Sequence, residues 1–427
     1  MDTYAQVLLV AIPFFLGLIV LEALYSWRKG VLSYNGMDTI SSLSSGTTNT
    51  LKSILKLSIV IVSYAWVVDH IAIFEIKNTI LVYILSFIAI DFASYWSHRL
   101  NHHVNIFWNQ HIVHHSSEEF NLACALRQPI SNIIGYGFLF LLPAALLGLP
   151  AEVIAVIAPI HLFLQFWYHT VHIPKLGWLE YVIVTPSQHR VHHAINDIYI
   201  DKNLAAIFSI WDRIFGTFQE ELEEEPCVYG VKKPVSTWNP IKINWMHAWQ
   251  ITKDCYYASD WKDKLRVWFM PTGWRPDDVE ERFPLHYEKD PQKQMKYAPE
   301  SSKYKKAWAW FQYVVTTAMM LHMMVKIGDI GFPNLFIYGG FLFVSVYSYT
   351  SLMDNEKEAL WVEILRSMLG LSIVLYFGHW FYLTDIIPFG NFLLLAYLFT
   401  SLVVTIYLVH FEEKALPHLN RSTYQRP

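Results

Sequence analysis

The chain has 427 residues, of which 54% are hydrophobic and only 16% are charged. This balance lies outside the usual range of soluble proteins and indicates an integral membrane protein. The formal net charge of -4 is too small to indicate nucleic-acid binding. Cys124, Cys227 and Cys255 form no CxxC pair, so they predict neither a disulfide framework nor a thiolate zinc site.

Apolar stretches long enough to cross about 30 Å of hydrocarbon occur along most of the chain. They cover residues 5–25, 53–71, 78–97, 131–148, 151–168, 307–325, 332–350, 359–378 and 389–409. We therefore predict an all-α, polytopic membrane protein with about nine transmembrane helices. The first stretch lacks a basic leader and a small-residue cleavage site, so we expect a retained helix rather than a signal peptide. Gly148 to Pro150 should form a tight hairpin between the fourth and fifth spans.

Three regions follow from this pattern. We expect N-terminal transmembrane helices over residues 1–77, a catalytic region over 78–306, and C-terminal transmembrane helices with a tail over 307–427. Basic residues follow the first span and accompany the catalytic region: Arg28, Lys29, Lys202, Arg213, Lys232 and Lys233. The loop at 381–389 contains none. Positive-inside counting therefore predicts that the catalytic region and the C-terminal tail face the cytoplasm.

Histidines are concentrated in three short segments beside apolar spans. The first segment has i,i+4 spacing, and the other two share an i, i+3, i+4 pattern; their histidines are His98 and His102, then His111, His114 and His115, then His189, His192 and His193. On a helix each set faces one way. Neutral imidazoles bind transition metals, and eight exceed the needs of one tetrahedral ion. The pattern predicts two metal ions in a four-helix-like core. Without a recurring Glu-x-x-His motif, the ligands should be nearly all imidazole, which suits iron or zinc.

The residues around these histidines resemble the fatty acid hydroxylase and sterol desaturase superfamily of integral-membrane, non-haem di-iron enzymes. The resemblance is carried by "NHHVNIFWNQHIVHHSSEEFNLACALRQ" (101–128), "QFWYHT" (165–170), "TPSQHRVHHAINDIYIDKNLAAIFSIWDRIFGTFQEE" (185–221) and "VYGVKKPVSTWNPIKIN" (228–244). The closer similarity is to members that cleave alkylglycerol ethers. It implies two iron ions held by the eight histidines, a membrane lipid and O2 as substrates, and tetrahydrobiopterin as the reductant. Gln165 and His169 occupy the place of a further ligand pair in related hydroxylases, so His169 joins the predicted metal ligands.

The chain departs from the resembled pattern at positions beside the histidine segments. His103 and Val171, which is followed by His172, stand where acids are expected, and Leu204 stands where a tyrosine is expected. These departures concern the expected dependence on pterin and the expected ether substrate more than they concern oxygen activation. We hypothesise that they redirect the reaction; the alternative is that they are neutral variations outside the substrate pocket.

Asp91 and Tyr95 are the predicted catalytic residues outside the metal ligands. Asp91 lies one turn before Tyr95 and two turns before His98, inside an apolar span where an unpaired carboxylate would be costly. We expect it to orient a ligand imidazole; a pairing that only holds helices together is the alternative. Farther along, "WMHAWQITKDCYYASDWKDKLRVWFMPTGW" (245–274) alternates aromatic and basic residues. This stretch either lies in the headgroup layer or packs beneath the bundle.

Two other functions fit the sequence. A related enzyme would hydroxylate or desaturate a sterol, carotenoid or acyl chain with electrons from a separate redox protein, and its products would include no aldehyde from ether cleavage. A zinc-binding transporter or scaffold would consume no oxygen. Product analysis and oxygen uptake distinguish these alternatives from the favoured ether-cleaving monooxygenase.

Overall fold

The structure is a computed structural model that describes residues 3–74, 76 and 79–412. The predicted cytoplasmic tail, 413–427, lies outside these residues. The described part is predominantly helical, as predicted. Its α-helices are α1 Thr3–Lys29, α2 Gly36–Ile54, α3 Tyr64–Ile71, α4 Ile80–His103, α5 Asn105–His115, α6 Leu142–Leu146, α7 Ala151–Phe163, α8 Pro186–His192, α9 Ile210–Ile214, α10 Pro240–Tyr257, α11 Trp261–Arg266, α12 Asp277–Arg282, α13 Lys303–Val325, α14 Ile327–Ile330, α15 Asn334–Met353, α16 Glu358–Phe377 and α17 Gly390–Tyr407.

Among the described residues, five helices are long and apolar enough to cross a membrane: α1, α4, α15, α16 and α17. The chain is thus an integral membrane protein. The count of about nine crossings is not confirmed, because other predicted spans fold differently. α6 and α7 are shorter apolar helices, separated by the predicted hairpin, in which Gly148 adopts a φ of +73°. A glycine fits this left-handed turn without the steric cost of a Cβ atom.

The predicted span over 53–71 is not one helix. α2 ends at Ile54, strand β1 covers Ile59–Val60, and α3 begins at Tyr64. Strand β2, Ile134–Gly135, pairs with β1 in parallel, so the predicted span over 131–148 also begins as a strand. β-branched residues favour extended backbone, and the Ser63 hydroxyl caps α3 by accepting a hydrogen bond from the Trp66 amide at 3.2 Å. Hydropathy alone does not show that these two predicted spans are interrupted.

α2 is a buried helix rich in hydroxyl side chains, and no apolar run predicts it. Its sequence is GMDTISSLSSGTTNTLKSI, and most of its residues are buried. Most of the hydroxyls are satisfied locally or by neighbours: Thr47 donates to the Leu43 carbonyl at 3.1 Å, and Ser44 lies 2.5 Å from the Tyr349 hydroxyl. The buried Ser41 hydroxyl is an exception, with no hydrogen-bond partner among the described residues. Because most of these groups are hydrogen-bonded, their burial is tolerated, and α2 fills the space between the C-terminal helices and the histidine segments.

The helices pack as two connected groups. α13, α15, α16 and α17 pack against one another, and α15 also contacts α2. The largest apolar core lies here and includes Leu51, Met323, Tyr338, Phe341 and Trp380. In the other group α4 packs against α5 and α7, and α5 packs against α10. This second group carries the histidines, at the C-terminal end of α4 and in the segments that follow it.

Candidate metal centre

All nine predicted histidine ligands come together in two adjoining sets. Set A consists of His98, His102, His111, His115 and His192, and set B consists of His114, His169, His189 and His193. Within each set, one ligand nitrogen from every residue lies within 4.8 Å of the others. The histidines belong to α4, α5, α8 and the turn after α7. The predicted four-helix-like core is therefore three helices and a turn.

Each HxxHH segment contributes to both sets. In α5, His111 and His115 face set A, whereas His114 faces set B. In the α8 segment the arrangement is reversed, because His189 and His193 face set B and His192 faces set A. Residues i and i+4 lie about 40° apart around a helix, and residue i+3 lies about 60° from i on the other side. The i, i+3, i+4 spacing thus makes each segment a bridge between the two sets.

Backbone carbonyls hold several imidazoles by Nδ1. His98 Nδ1 lies 2.7 Å from the Leu204 carbonyl oxygen, and His192 Nδ1 lies 3.1 Å from that of Lys202. In set B, His114 Nδ1 lies 3.2 Å from the Arg127 carbonyl oxygen, and His169 Nδ1 lies 3.1 Å from that of Gln165. A carbonyl only accepts, so Nδ1 carries the proton and Nε2 presents a lone pair to the centre. This tautomer suits a metal ligand.

The spacing of the Nε2 atoms fits a metal better than it fits hydrogen bonding. His98 Nε2 lies 2.8 Å from His111 Nε2, which lies 3.0 Å from His115 Nε2. In set B, His189 Nε2 lies 2.9 Å from His169 Nε2 and 3.1 Å from His193 Nε2. Where both Nε2 atoms of a pair are unprotonated, their lone pairs repel at such distances. Nitrogens bound at roughly 2.1 Å to one ion would be about 3.0 to 3.4 Å apart for angles between 90° and tetrahedral.

Two buried imidazole nitrogens of set A reinforce this fit. His102 Nε2 and His192 Nε2 are inaccessible to solvent and have no hydrogen-bond partner. Buried polar atoms are rarely left unsatisfied, and each such atom needs an explanation. Because their Nδ1 atoms are held by Asp201 and by the Lys202 carbonyl, these Nε2 atoms are free to bind an ion.

Burial keeps the site imidazoles neutral. It lowers the pKa of His114 to about 4, and burial together with neighbouring imidazoles holds the pKa of His111, His115, His192 and His193 well below the ordinary value. A neutral imidazole is the form that binds a metal. The centre is therefore ready to accept cations without first losing protons at neutral pH.

A buried ion pair supports set B from α2. Arg127, whose carbonyl oxygen accepts from His114, donates through its guanidinium to Asp38 at 2.6 Å. Ser117 also donates to Asp38, at 2.7 Å, and Arg127 donates to Ser116 at 2.7 Å. The sequence analysis missed Asp38, which lies far from the histidine segments in the chain.

Asp91 and Tyr95 do not contact either set. The fully buried Asp91 carboxylate accepts from His161 Nε2 at 2.7 Å, from the Ile207 and Phe208 amides, and from the Trp211 indole. His161 belongs to neither set, so the hydrogen bond expected between Asp91 and a ligand imidazole is not observed. Tyr95 bonds to Thr217 at 3.0 Å and to Arg99 at 2.9 Å. Asp91 thus ties α4 to the loop that supplies the Leu204 carbonyl. Tyr95 ties α4 to Thr217, whose carbonyl accepts from the Asn203 amide of that loop at 2.8 Å.

The structure clarifies two of the three departures. Leu204 serves the site through its backbone, because its carbonyl accepts from His98 while its amide donates to Asp212 at 2.7 Å. An acid does lie beside the second departure, but it comes from α1: Glu22 accepts from the Thr170 hydroxyl and from the Leu122 amide. Glu22 was missed, although an acid inside an apolar span is itself a signal. His103 is exposed, and its Nδ1 atom lies 3.1 Å from the Arg99 carbonyl oxygen of its own helix.

Fold and site together define a class, the histidine-rich membrane oxygenases. The sequence profile described as Fatty acid hydroxylase matches residues 83–217, which include both histidine sets. Alkylglycerol monooxygenase of Homo sapiens is 34% identical over 371 residues, covering 86% of this chain and 82% of that protein. The Danio rerio protein of the same name is 31% identical over 400 residues, covering 92% and 87%. The chain belongs to the alkylglycerol monooxygenase family, which confirms the predicted resemblance.

More distant similarity covers a smaller part of the chain. Ornithine lipid hydroxylase OlsE of Rhizobium tropici is 28% identical over 135 residues, covering 32% of this chain and 41% of that protein. No solved structure matches the chain significantly.

Proposed function

We propose that the chain is a membrane-bound lipid monooxygenase that cleaves the ether bond of alkylglycerols. One oxygen atom of O2 is inserted into a C–H bond next to the ether oxygen, and the other leaves as water after a reductant supplies two electrons and two protons are taken up. The resulting hemiacetal separates into a fatty aldehyde and glycerol. The observation that carries this proposal is the convergence of nine imidazole nitrogens in two adjoining sets, in a chain that is 34% identical to a protein named for this activity.

We infer that sets A and B hold one iron ion each, which would supply oxygen activation when bound. The five histidines of set A and the four of set B would be the ligands. The residues around them have positioning roles. The carbonyls of Leu204, Lys202 and Arg127 fix the rings by Nδ1 and keep Nε2 unprotonated.

The surroundings of the sets should exclude bulk water from the reaction. Tyr168 and Phe120 are buried, and their rings pack against His189 at centroid distances of 4.3 and 6.0 Å. In this proposal Asp91 and Tyr95 contact neither histidine set and have positioning roles. Asp91 fixes the loop after α8 to α4 directly, and Tyr95 does so through Thr217, so their substitution should disturb the position of Leu204 rather than remove a group that touches the substrate.

The proposed orientation places both sets at the cytoplasmic surface of the membrane. Basic residues near the histidine segments support this orientation. His98 and His102 lie in the last two turns of α4, at the end of a membrane span. A lipid whose headgroup lies at this surface can present the carbon beside its ether oxygen to the centre. Residues 78–306 would then form the catalytic region, flanked by N-terminal and C-terminal membrane helices.

The reductant is proposed to be tetrahydrobiopterin, with a separate redox protein as the alternative. Glu22 places an acid near set B, since it accepts from the hydroxyl of Thr170, the residue after His169, and from the hydroxyl of Tyr34. The family relationship favours ether cleavage over sterol, carotenoid or acyl oxidation, and over a transporter or scaffold.

Product analysis tests this proposal. The purified protein, loaded anaerobically with iron, should consume oxygen and release fatty aldehyde from an alkylglycerol when tetrahydrobiopterin is added. His192→Ala should abolish both signals, whereas Lys175→Gln, at an exposed residue, should leave them unchanged. Oxygen consumption with a hydroxylated product but no aldehyde would contradict ether cleavage. Absence of oxygen uptake with all lipids and reductants would contradict a monooxygenase.

A further inference from the structure

α10 and α11 expose a row of aromatic and apolar side chains. Trp245, Trp249 and Tyr256 lie on one face of α10 and are 43%, 63% and 75% exposed. The row continues through α11 with Trp261 and Leu265, which are 64% and 61% exposed. The opposite face of α10 is buried against the protein. We call residues 239–270, from the cap of α10 to the segment after α11, the aromatic strap.

One end of the aromatic strap is tied to the ends of two membrane spans. Asn239, the cap of α10, donates to the Ser351 hydroxyl at 3.2 Å in the last turn of α15. Lys242 forms an ion pair with Glu358 at 2.6 Å, and Glu358 is the first residue of α16. The α10 N-terminus is therefore fixed at the level where α15 leaves the membrane and α16 enters it.

The other end of the aromatic strap is tied to the end of a third span. The amide of Asn105 donates to the Met270 carbonyl at 3.0 Å, and the amide of Ile106 donates to the Trp268 carbonyl at 2.9 Å. Asn105 begins α5 directly after α4 ends at His103. The 18 residues of α10 span about 27 Å. His247, in the middle of α10, lies with its Nε2 atom 2.9 Å from the Asn105 carbonyl oxygen. Because the N-terminus and the middle of α10 lie at the ends of different membrane spans, the N-terminal half of α10 runs along the membrane surface rather than away from it.

We propose that the aromatic strap lies in the headgroup layer of the membrane that its own protein spans, so that its partner is the lipid surface. Exposed tryptophan and tyrosine are suited to this layer because their rings have an apolar body and a polar tip. Lys253 and Lys262 are exposed beside the row, where long basic side chains can reach phosphate groups.

The position of the aromatic strap has a consequence for the site. Its inner face holds α5, because the Asn109 side chain donates to the Asn244 carbonyl at 3.0 Å and accepts from the Ala248 amide at 2.8 Å. α5 carries His111, His114 and His115. Lipid contacts on the outer face would thus fix the depth of the histidine sets relative to the headgroups. The inference concerns membrane position and does not depend on which reaction the site performs.

Spin-label accessibility in lipid nanodiscs tests the proposal on the full chain. Labels are attached to Trp249→Cys and Leu265→Cys in a background with Cys227→Ser and Cys255→Ser, since Cys124 is fully buried. Two reference positions calibrate the measurement. Leu375→Cys reports a lipid-facing residue of α16 that is 74% exposed, and Glu223→Cys reports an exposed loop.

We expect the ratio of oxygen to nickel-chelate accessibility at positions 249 and 265 to be several-fold higher than at 223 and to approach that at 375. Ratios equal to the value at 223 would overturn the proposal, since the strap would then face water. Protection from both reagents would also overturn it, because the row would then be covered by protein. Metal content and gel-filtration profile, compared with the unlabelled protein, confirm that each variant is folded. If one variant does not fold, the accessibility ratio at the other position is sufficient to decide.

Discussion

Replacing Asp38 with asparagine should weaken both the fold and set B of the metal centre. The Asp38 and Arg127 side chains are 2% and 1% exposed, and their charged groups lie 2.6 Å apart. Asp38→Asn would leave the Arg127 guanidinium charged and buried without its counterion. Removing one partner of a buried ion pair costs about 3 to 5 kcal/mol. The Arg127 carbonyl would then hold His114 less firmly, and loss of such an outer contact lowers metal affinity by roughly 10-fold or more.

Two measurements on the purified protein check this reasoning. The free energy of unfolding is obtained from a denaturant titration in mixed micelles, and metal affinity is obtained from competition with a chelator. Glu220→Gln is the matched control, because Glu220 pairs with Lys175 at 2.7 Å while both side chains are well exposed; its cost should stay below about 1 kcal/mol. If Asp38→Asn costs no more than Glu220→Gln and retains full metal affinity, the buried pair does not support the site.

Three further predictions address topology, pH dependence and the departures from the family pattern. A reporter after Phe107 and one at the C-terminus should read cytoplasmic, and one near Asp385 should not; opposite sides for the first two would contradict the orientation. Burial lowers the pKa of His247 to about 4 in the folded protein. As the pH falls below the ordinary pKa of histidine, His247 takes up a proton in the unfolded chain but not in the folded one, and the free energy of unfolding therefore decreases. Between pH 7 and 5 the loss is about 2 kcal/mol, and His247→Gln should remove that part of the acid sensitivity; unfolding curves equally acid-sensitive in both proteins would refute the assignment. Because the Leu204 backbone rather than its side chain serves the site, Leu204→Tyr combined with Val171→Glu should leave aldehyde release within a few-fold of the unaltered protein, and a change of reductant or product would instead show that the departures set the reaction.

The histidine centre could be predicted from sequence because its information is local. The i,i+4 and i,i+3,i+4 spacings place imidazoles on shared helix faces, whatever the rest of the chain does. His169 required the family resemblance, since it is a single histidine in a turn. The division into sets follows from helix geometry once α5 and α8 are brought together, but which helices face each other is a property of the tertiary structure.

The supporting residues could not be predicted in the same way. Asp38 pairs with Arg127 across 89 positions of sequence, and Glu22 contacts Leu122 and Thr170 across 100 and 148 positions. Only packing of α1 and α2 against the catalytic region brings these residues to the site. Asp91 was correctly singled out as costly to bury, yet its partner is His161 rather than a clustered histidine. A sequence shows that a buried charge needs a partner but does not identify that partner.

The hydropathy pattern predicted the membrane character of the chain correctly, but it predicted the positions of the helices less well. Ile59 and Val60 belong to an apolar stretch, but they pair as a strand with Ile134 and Gly135. α2 has the opposite property, since its hydroxyl-rich sequence resembles a loop and is helical because it is buried among polar partners. In both cases contacts between distant segments override the local signal.

Metal stoichiometry measured set by set tests the central claim most directly, namely that the nine histidines form two adjoining metal sites. We expect about two iron ions in each folded, unaltered chain after anaerobic loading. The set-specific variants His102→Ala and His169→Ala should each retain about one ion, bound by the undisturbed set. Fewer than one ion in the folded, unaltered chain, or loss of all metal from either folded variant, would contradict the two-site account.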